Sequence, residues 1–202
     1  MKIKVCGLKN PENMSSVDRC EVDYVGMIFY SKSKRFVENV MPPTFAERVG
    51  VFVNESKEII DDMIKRYNLS VIQLHGSEKP EFCRLIKENG AKVIKAISIE
   101  DESDIELSYD YQNDDCCDFL LFDTKCKTYG GSGRQFDWSI VENYKGRKPF
   151  FISGGIGVEN AGEIKKIRNE NFYGVDLNSR FEIEPGIKNI PLLKKFIEEI
   201  RK

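Results

Sequence analysis

The sequence predicts an α/β protein, a single-domain (β/α)8 TIM barrel, from three observations. Eight short β-branched or apolar runs are spread along its 202 residues. Longer stretches with apolar residues at helical spacing alternate with them, the rhythm of repeated βα units around a parallel sheet. The first run lacks the G-x-G-x-x-G turn that an open dinucleotide-binding sheet carries at that point, which favours the closed barrel over that alternative. The length suits one hydrophobic core, in a barrel trimmed from the roughly 250 residues typical of the fold.

Taken in order, the strands fall at residues 3–6, 24–29, 48–53, 71–74, 92–97, 119–123, 149–153 and 173–177. The clearest helices fall at 56–67, 79–89, 158–168 and 190–200, each with an apolar stripe that a barrel can cover. After the second strand, the stretch 37–44 contains Met41-Pro42-Pro43. Proline removes an amide donor and constrains the residue before it, so a short helix or an irregular connection is expected there. One glycine-rich loop, Tyr129-Gly130-Gly131-Ser132-Gly133, follows the sixth strand.

Composition excludes several functions. Thirty-one basic and thirty-three acidic side chains nearly cancel, and no Lys/Arg block is dense enough to follow a nucleic-acid backbone or an anionic membrane. No stretch approaches the roughly 20 apolar residues of a membrane span, and Met1-Lys2-Ile3-Lys4-Val5 is unlike a signal peptide, so a cytoplasmic protein is expected. The six cysteines contain no C-x-x-C pair and the sole histidine, His75, has no ligand-spaced partner. Reduced thiols and no structural zinc are expected. With no long apolar surface stripe, a monomer is expected, a homodimer being the alternative.

In such a barrel the chemistry sits at the carboxyl ends of the strands. Cys6 ends the first strand before Gly7, where its thiol would face the barrel mouth and could abstract a proton; an unpaired cysteine is otherwise a small apolar filler. Asp123 ends the sixth strand after Phe119-Leu120-Leu121-Phe122, an apolar wall able to raise its pKa and suit it to be a general acid. The alternative for Asp123 is a helix cap or a partner for Lys125. Asp176, flanked by Val175 and Leu177, is a carboxylate on a buried strand, which demands hydrogen-bond partners or a ligand. Ser153-Gly154-Gly155 ends the seventh strand with backbone amides and little side-chain bulk, where a phosphate could approach, or is an ordinary turn. Arg35, in Ser31-Lys32-Ser33-Lys34-Arg35, could grip a carboxylate with two prongs or belong to a solvated basic loop.

Lys4-Val5-Cys6-Gly7-Leu8, Ser33-Lys34-Arg35-Phe36, Val49-Gly50-Val51-Phe52-Val53-Asn54, Gln73-Leu74-His75-Gly76, Phe122-Asp123-Thr124-Lys125, the glycine-rich loop with Phe136-Asp137-Trp138, and Ile152-Ser153-Gly154-Gly155-Ile156 stand in this order along nearly the whole chain. Together they resemble the phosphoribosylanthranilate isomerase family. The resemblance implies an Amadori rearrangement in tryptophan biosynthesis. N-(5-phosphoribosyl)anthranilate becomes 1-(2-carboxyphenylamino)-1-deoxyribulose 5-phosphate, with no metal or organic cofactor and a small molecule as the only partner. It also implies roles: Cys6 as general base, Asp123 as general acid, Arg35 facing the anthranilate carboxylate and Asp176 near the ribose. Gly154 and Gly155 match the phosphate loop, Gln73 and His75 a supporting landmark, and Gly130 to Gly133 a mobile loop that excludes water.

The family usually carries a small Ser-Gly type sequence after the last strand, whereas here Arg180 stands where glycine is usual. Its guanidinium is expected to point at the substrate phosphate or at Glu182. Two other readings compete. A histidine-pathway sugar-phosphate isomerase would use two aspartates and mirror its two halves, which this chain does not. A catalytically silent binding barrel would not need Cys6, Asp123 and Arg35 together.

Overall fold

The computed structural model describes residues 1–113, 115–124 and 137–202. Eight parallel strands close into a barrel in sequence order: β1 (Lys2–Val5), β2 (Tyr24–Ile28), β3 (Glu47–Phe52), β4 (Val71–Leu74), β5 (Lys92–Ile99), β6 (Phe119–Thr124), β7 (Phe150–Ile152) and β8 (Phe172–Leu177). β1 closes on β8 with Lys4 opposite Asp176. The predicted fold class and all eight strands are therefore present, and the glycine-rich loop at 129–133 lies outside the described residues. No described helix is long and apolar enough to cross a membrane.

The strands are buried on both faces, which is why they read as apolar runs rather than alternating ones. Inward side chains include Cys6, Tyr24, Val51, Ile94, Leu121 and Phe151, while Val25, Phe52, Phe122 and Ile152 pack outward against the helices. At the amino-terminal end the interior is aromatic. Phe151 meets Tyr24 edge-on at 5.7 Å, Phe119 at 5.8 Å and Tyr173 at 5.2 Å, a floor beneath the polar side chains that close the strands.

Helices α2 (Lys57–Tyr67), α3 (Pro80–Lys87) and α5 (Ile190–Arg201) fall where the periodicity puts them. Ser56 caps α2 by accepting from the Ile59 amide, and Asn68 ends it in the left-handed region at φ 51°. Two elements depart from expectation. α1 (Pro11–Asp18) follows β1 on an Asn10 cap with proline in its first turn; only Met14 and Val17 are buried, so its stripe is too short for periodicity to find. The helix expected at 158–168 is instead a 3-10 turn (Val158–Asn160) leading into the four-residue α4 (Ala161–Ile164). After β2 there is no helix: the connection returns to the sheet through one bridge, Ile28 to Phe36. After α4, a two-stranded ribbon of β9 (Glu182–Glu184) and β10 (Ile187–Lys188) follows β8 and precedes α5.

Candidate active site

One cavity opens at the carboxyl ends of the strands, lined by Cys6, Gln73, His75, Asp123, Ser153, Gly154, Gly155, Asp176 and Arg180, with Ile28, Val51 and Val53 as its apolar wall. Of the eight residues singled out from sequence, two for proton transfer and six for substrate binding, seven line this cavity and Arg35 does not.

Cys6 follows β1, its amide donating to Leu177 O at 2.9 Å, and it is nearly buried. Space for it comes from β2: a methyl group on Gly26 would lie 2.9 Å from Cys6 Sγ and 3.0 Å from its Cα. Gly7 turns the chain at φ 77°, and a side chain there would strike Arg35 and Asn178. Burial pushes the Cys6 thiol up; Lys4 pulls it down, Asp176 opposes Lys4, and the balance stays above the ordinary thiol value. The resting group is the thiol.

Asp123 shows the opposite balance. Burial pushes its carboxyl up, but the donors around it win, and it lies below the usual carboxylate range. Ser153 Oγ donates to Oδ1 at 2.5 Å, and His75 Nε2 donates to Oδ2 at 3.2 Å. Gln73 Nε2 donates to His75 Nδ1 at 2.7 Å, which selects the tautomer with its proton on Nε2. The net shift of Asp123 is therefore not upward as the sequence suggested, because hydrogen bonds from Ser153 and His75, just beyond β7 and β4, outweigh its burial. Among the described residues Asp123 caps no helix; Lys125, its other suggested partner, lies outside them.

The loop that carries His75 is itself pinned. Glu78 accepts from the amides of Asn54 at 2.8 Å and Gly76 at 2.9 Å and from Lys95 Nζ at 2.9 Å. A carboxylate with three donors gives the imidazole a fixed base.

Asp176 has the partner its buried position demands: Lys4 Nζ donates to Oδ2 at 2.7 Å. Burial raises its carboxyl above the ordinary value despite Lys4. Its Oδ1 is buried without a protein partner among the described residues. Gly154 and Gly155 stand at φ 92° and 64°, and a side chain on Gly154 would overlap Thr124. Their main chain therefore forms the cavity wall directly, as a phosphate loop requires.

The two arginines are placed differently from expectation. Arg35 is 9% exposed and locked two-pronged on Glu182, with Nε at 2.9 Å from Oε1 and Nη2 at 2.6 Å from Oε2. Glu182 also accepts from the buried Lys188 Nζ at 2.8 Å. Arg180 does not meet Glu182, which is already held by these two cations; it stands at the cavity rim paired with Glu159.

Lys4 and Lys188 are among the buried charges that sequence reasoning passed over, and it offered Glu182 only to Arg180. Lys4 had a usable signal, since residues two apart on a strand share a face and Cys6 faces inward. Lys188 had none, since it meets Glu182 and Asn178 only where the β9–β10 ribbon folds back, and the Arg35 partner of Glu182 comes from a distant segment.

Comparison with known proteins agrees over the whole molecule. The model of the N-(5'phosphoribosyl)anthranilate (PRA) isomerase family matches residues 3–199. An N-(5'-phosphoribosyl)anthranilate isomerase of Parabacteroides distasonis is 45% identical over 99% of this chain and 93% of its own length. The crystal structure of phosphoribosyl anthranilate isomerase from Thermotoga maritima is 37% identical, with TM-score 0.87 over 100% of this chain and 98% of that one. A crystal structure of such an isomerase in complex with reduced 1-(o-carboxyphenylamino)-1-deoxyribulose 5-phosphate is 34% identical, with TM-score 0.84 over 100% and 98%. On a match that runs from the first strand to the last helix, this chain belongs to the N-(5'-phosphoribosyl)anthranilate isomerase family.

Proposed function

We propose that this chain converts N-(5-phosphoribosyl)anthranilate into 1-(2-carboxyphenylamino)-1-deoxyribulose 5-phosphate, a step of L-tryptophan biosynthesis. The observation that carries the reading is a thiol and a carboxyl group, Cys6 and Asp123, in one cavity that also holds the Gly154-Gly155 main chain. In this reading Asp123 protonates the furanose oxygen, the C1′–O bond breaks, and a protonated Schiff base forms. Cys6 then removes the proton from C2′, and the resulting enolamine takes a proton at C1′ as its hydroxyl loses one. Side chains alone can move all of these protons.

The resting site holds its proton on the wrong member of the pair, the thiol rather than the carboxylate. Moving that proton from Cys6 to Asp123, through water or the substrate, creates the reactive form with no change in net charge. The cost falls on the fraction of enzyme that is ready, while a strong acid and a strong base are gained.

The other side chains fit around this axis. Asp176 Oδ1, buried and without a protein partner among the described residues, is proposed to accept from a ribose hydroxyl. Glu182 holds the Nε and Nη2 edge of Arg35, and the Nη1 end is the part proposed to meet the anthranilate carboxylate. The amides at Gly154 and Gly155 would receive the phosphate, with Gln73 holding His75 in place against Asp123.

The direct test generates phosphoribosylanthranilate in situ and follows its fluorescence decay on adding the purified protein. Rapid decay with formation of the aminoketose is expected. Tight binding of a reduced product analogue without any turnover would instead identify a silent barrel.

Arg180 is proposed to leave Glu159 for the substrate phosphate. Arg180→Ala is then expected to raise KM about tenfold with kcat little changed, the size of one charge-assisted hydrogen bond. An unchanged KM would remove Arg180 from the site.

Every residue given a role above comes from one chain, and the chain is proposed to work as a monomer. Sedimentation at assay concentration is expected to give the mass of one chain. Twice that mass would overturn the monomer and point to Phe45 and Val40, an apolar pair 100% and 83% exposed on the connection before β3.

A further inference from the structure

Lys4 has no part in the proton transfers above, and it is absent from the cavity wall. It is nevertheless a charged side chain with no exposure at all. An ammonium group taken out of water is costly, and a buried ion pair is weak evidence of stabilisation, since an apolar pair of the same volume often does as well. Its position calls for another explanation.

That position follows from the sheet. Lys4 and Cys6 lie two residues apart on the inward face of the first strand, and the register with β8 sets Lys4 opposite Asp176. Lys4 Nζ donates to Asp176 Oδ2 at 2.7 Å, and its charge acts on the Cys6 thiol from the same inward face. The remaining charges that act on Cys6 come from other elements. Lys188 of β10 and Arg35 of the connection after β2 are both cationic, and both are bound to Glu182. Asp123 and His75 act on Asp176. Glu182 offsets much of the Lys188 and Arg35 charge. Without Lys4, a thiolate at Cys6 would form beside a bare Asp176 carboxylate.

Resting on the reading of Cys6 as the base, we infer that Lys4 is a positioning residue for the isomerisation: its ammonium, anchored on Asp176, is the counter-charge that receives the Cys6 thiolate. Asp176 thereby has two jobs, one oxygen on Lys4 and the other toward the cavity. The ion pair is a device for letting a buried sulfur ionise without exposing it to water.

The test reads the thiolate without any substrate. Cys6 is alkylated with iodoacetamide across a pH series, and its peptide is quantified by mass spectrometry in wild type, Lys4→Met and Lys4→Arg. Alkylation follows the thiolate, so below the thiol pKa the logarithm of the rate rises with pH, and a changed pKa displaces that line. Lys4→Met is expected to slow Cys6 alkylation about tenfold at a given pH, the factor that corresponds to one pKa unit. Lys4→Arg is expected to recover part of the loss. In turnover, Lys4→Met is expected to lower kcat by a similar factor with KM within about twofold, a split that general loosening of the site would not give.

An undisplaced line in folded Lys4→Met would overturn the inference. If Lys4→Met does not fold, because Asp176 is left unpaired, Lys4→Met/Asp176→Asn is compared with Asp176→Asn alone, and the same displacement is required. Full turnover by Cys6→Ala would refute the assignment of the base. The alkylation comparison would still decide what Lys4 does to the sulfur, so the two failures are distinguishable.

Discussion

Asp123→Asn is expected to lower kcat/KM by about 10²- to 10⁴-fold, the range for losing a general acid, with the fold intact. The amide keeps the shape of the carboxyl group. Its oxygen still accepts from His75, and its NH2 is a donor that the Ser153 hydroxyl can turn to accept, so no buried partner is stranded. The pH dependence is more telling than the size of the loss. Wild type requires a protonated carboxyl, held below its usual range, and an ionised thiol, held above its own. The share of enzyme with both is constant between the two pKa values, so wild-type kcat/KM is expected to be flat across about pH 6–8. In Asp123→Asn only the thiol still titrates, and residual activity is expected to rise with pH toward the Cys6 pKa. A residual rate independent of pH would remove either the acid or the base from the scheme.

Cys6→Ala is expected to cost at least as much, again about 10²- to 10⁴-fold in kcat, because the sulfur that takes the C2′ proton is gone. Losing one sulfur from an otherwise preserved pocket is a modest packing change, and KM is expected to stay within a few-fold. Here the slope reverses. Only Asp123 still titrates, it must be protonated to act, and above its pKa residual activity is expected to fall about tenfold for each pH unit. Opposite slopes in the two variants would establish that the acid and the base are separate groups that ionise in reverse order. Parallel slopes would mean that one group governs both steps. Circular dichroism and thermal melting of each variant check that the fold is retained.

The strands were legible because burial on both faces writes them as apolar runs, and the site was legible because chemistry in a barrel gathers where those runs end. Cys6 and Asp123 could be named from that rule alone, and the family resemblance added their roles. What escaped is instructive. The environment of Asp123 was inferred from its neighbours in sequence, Phe119 to Phe122, yet a strand sends those side chains alternately in and out, and the groups that set its charge, Ser153 and His75, arrive from β7 and the loop after β4. The sequence offers Arg180 a phosphate or the nearby Glu182, but Glu182 turns toward Arg35 and Lys188 and leaves Glu159 as the protein partner. α1 was missed despite a good cap because it buries only two side chains. Local propensity marks where an element begins; partners across the barrel are a property of the closed sheet.

The aromatic floor has a consequence for how this molecule can change over time. Tyr24, Phe119, Phe151 and Tyr173 fill the amino-terminal half of the barrel with rings that touch one another, and none of the four rings lines the cavity. The barrel is thus split into a foundation and a workshop. Mutations that tighten the foundation can accumulate without disturbing the proton-transfer pair, and drift in the workshop can tune substrate preference without undermining the foundation. Lys4 and Asp176 are the seam between the two halves, and there the freedom to vary one residue without the other should end.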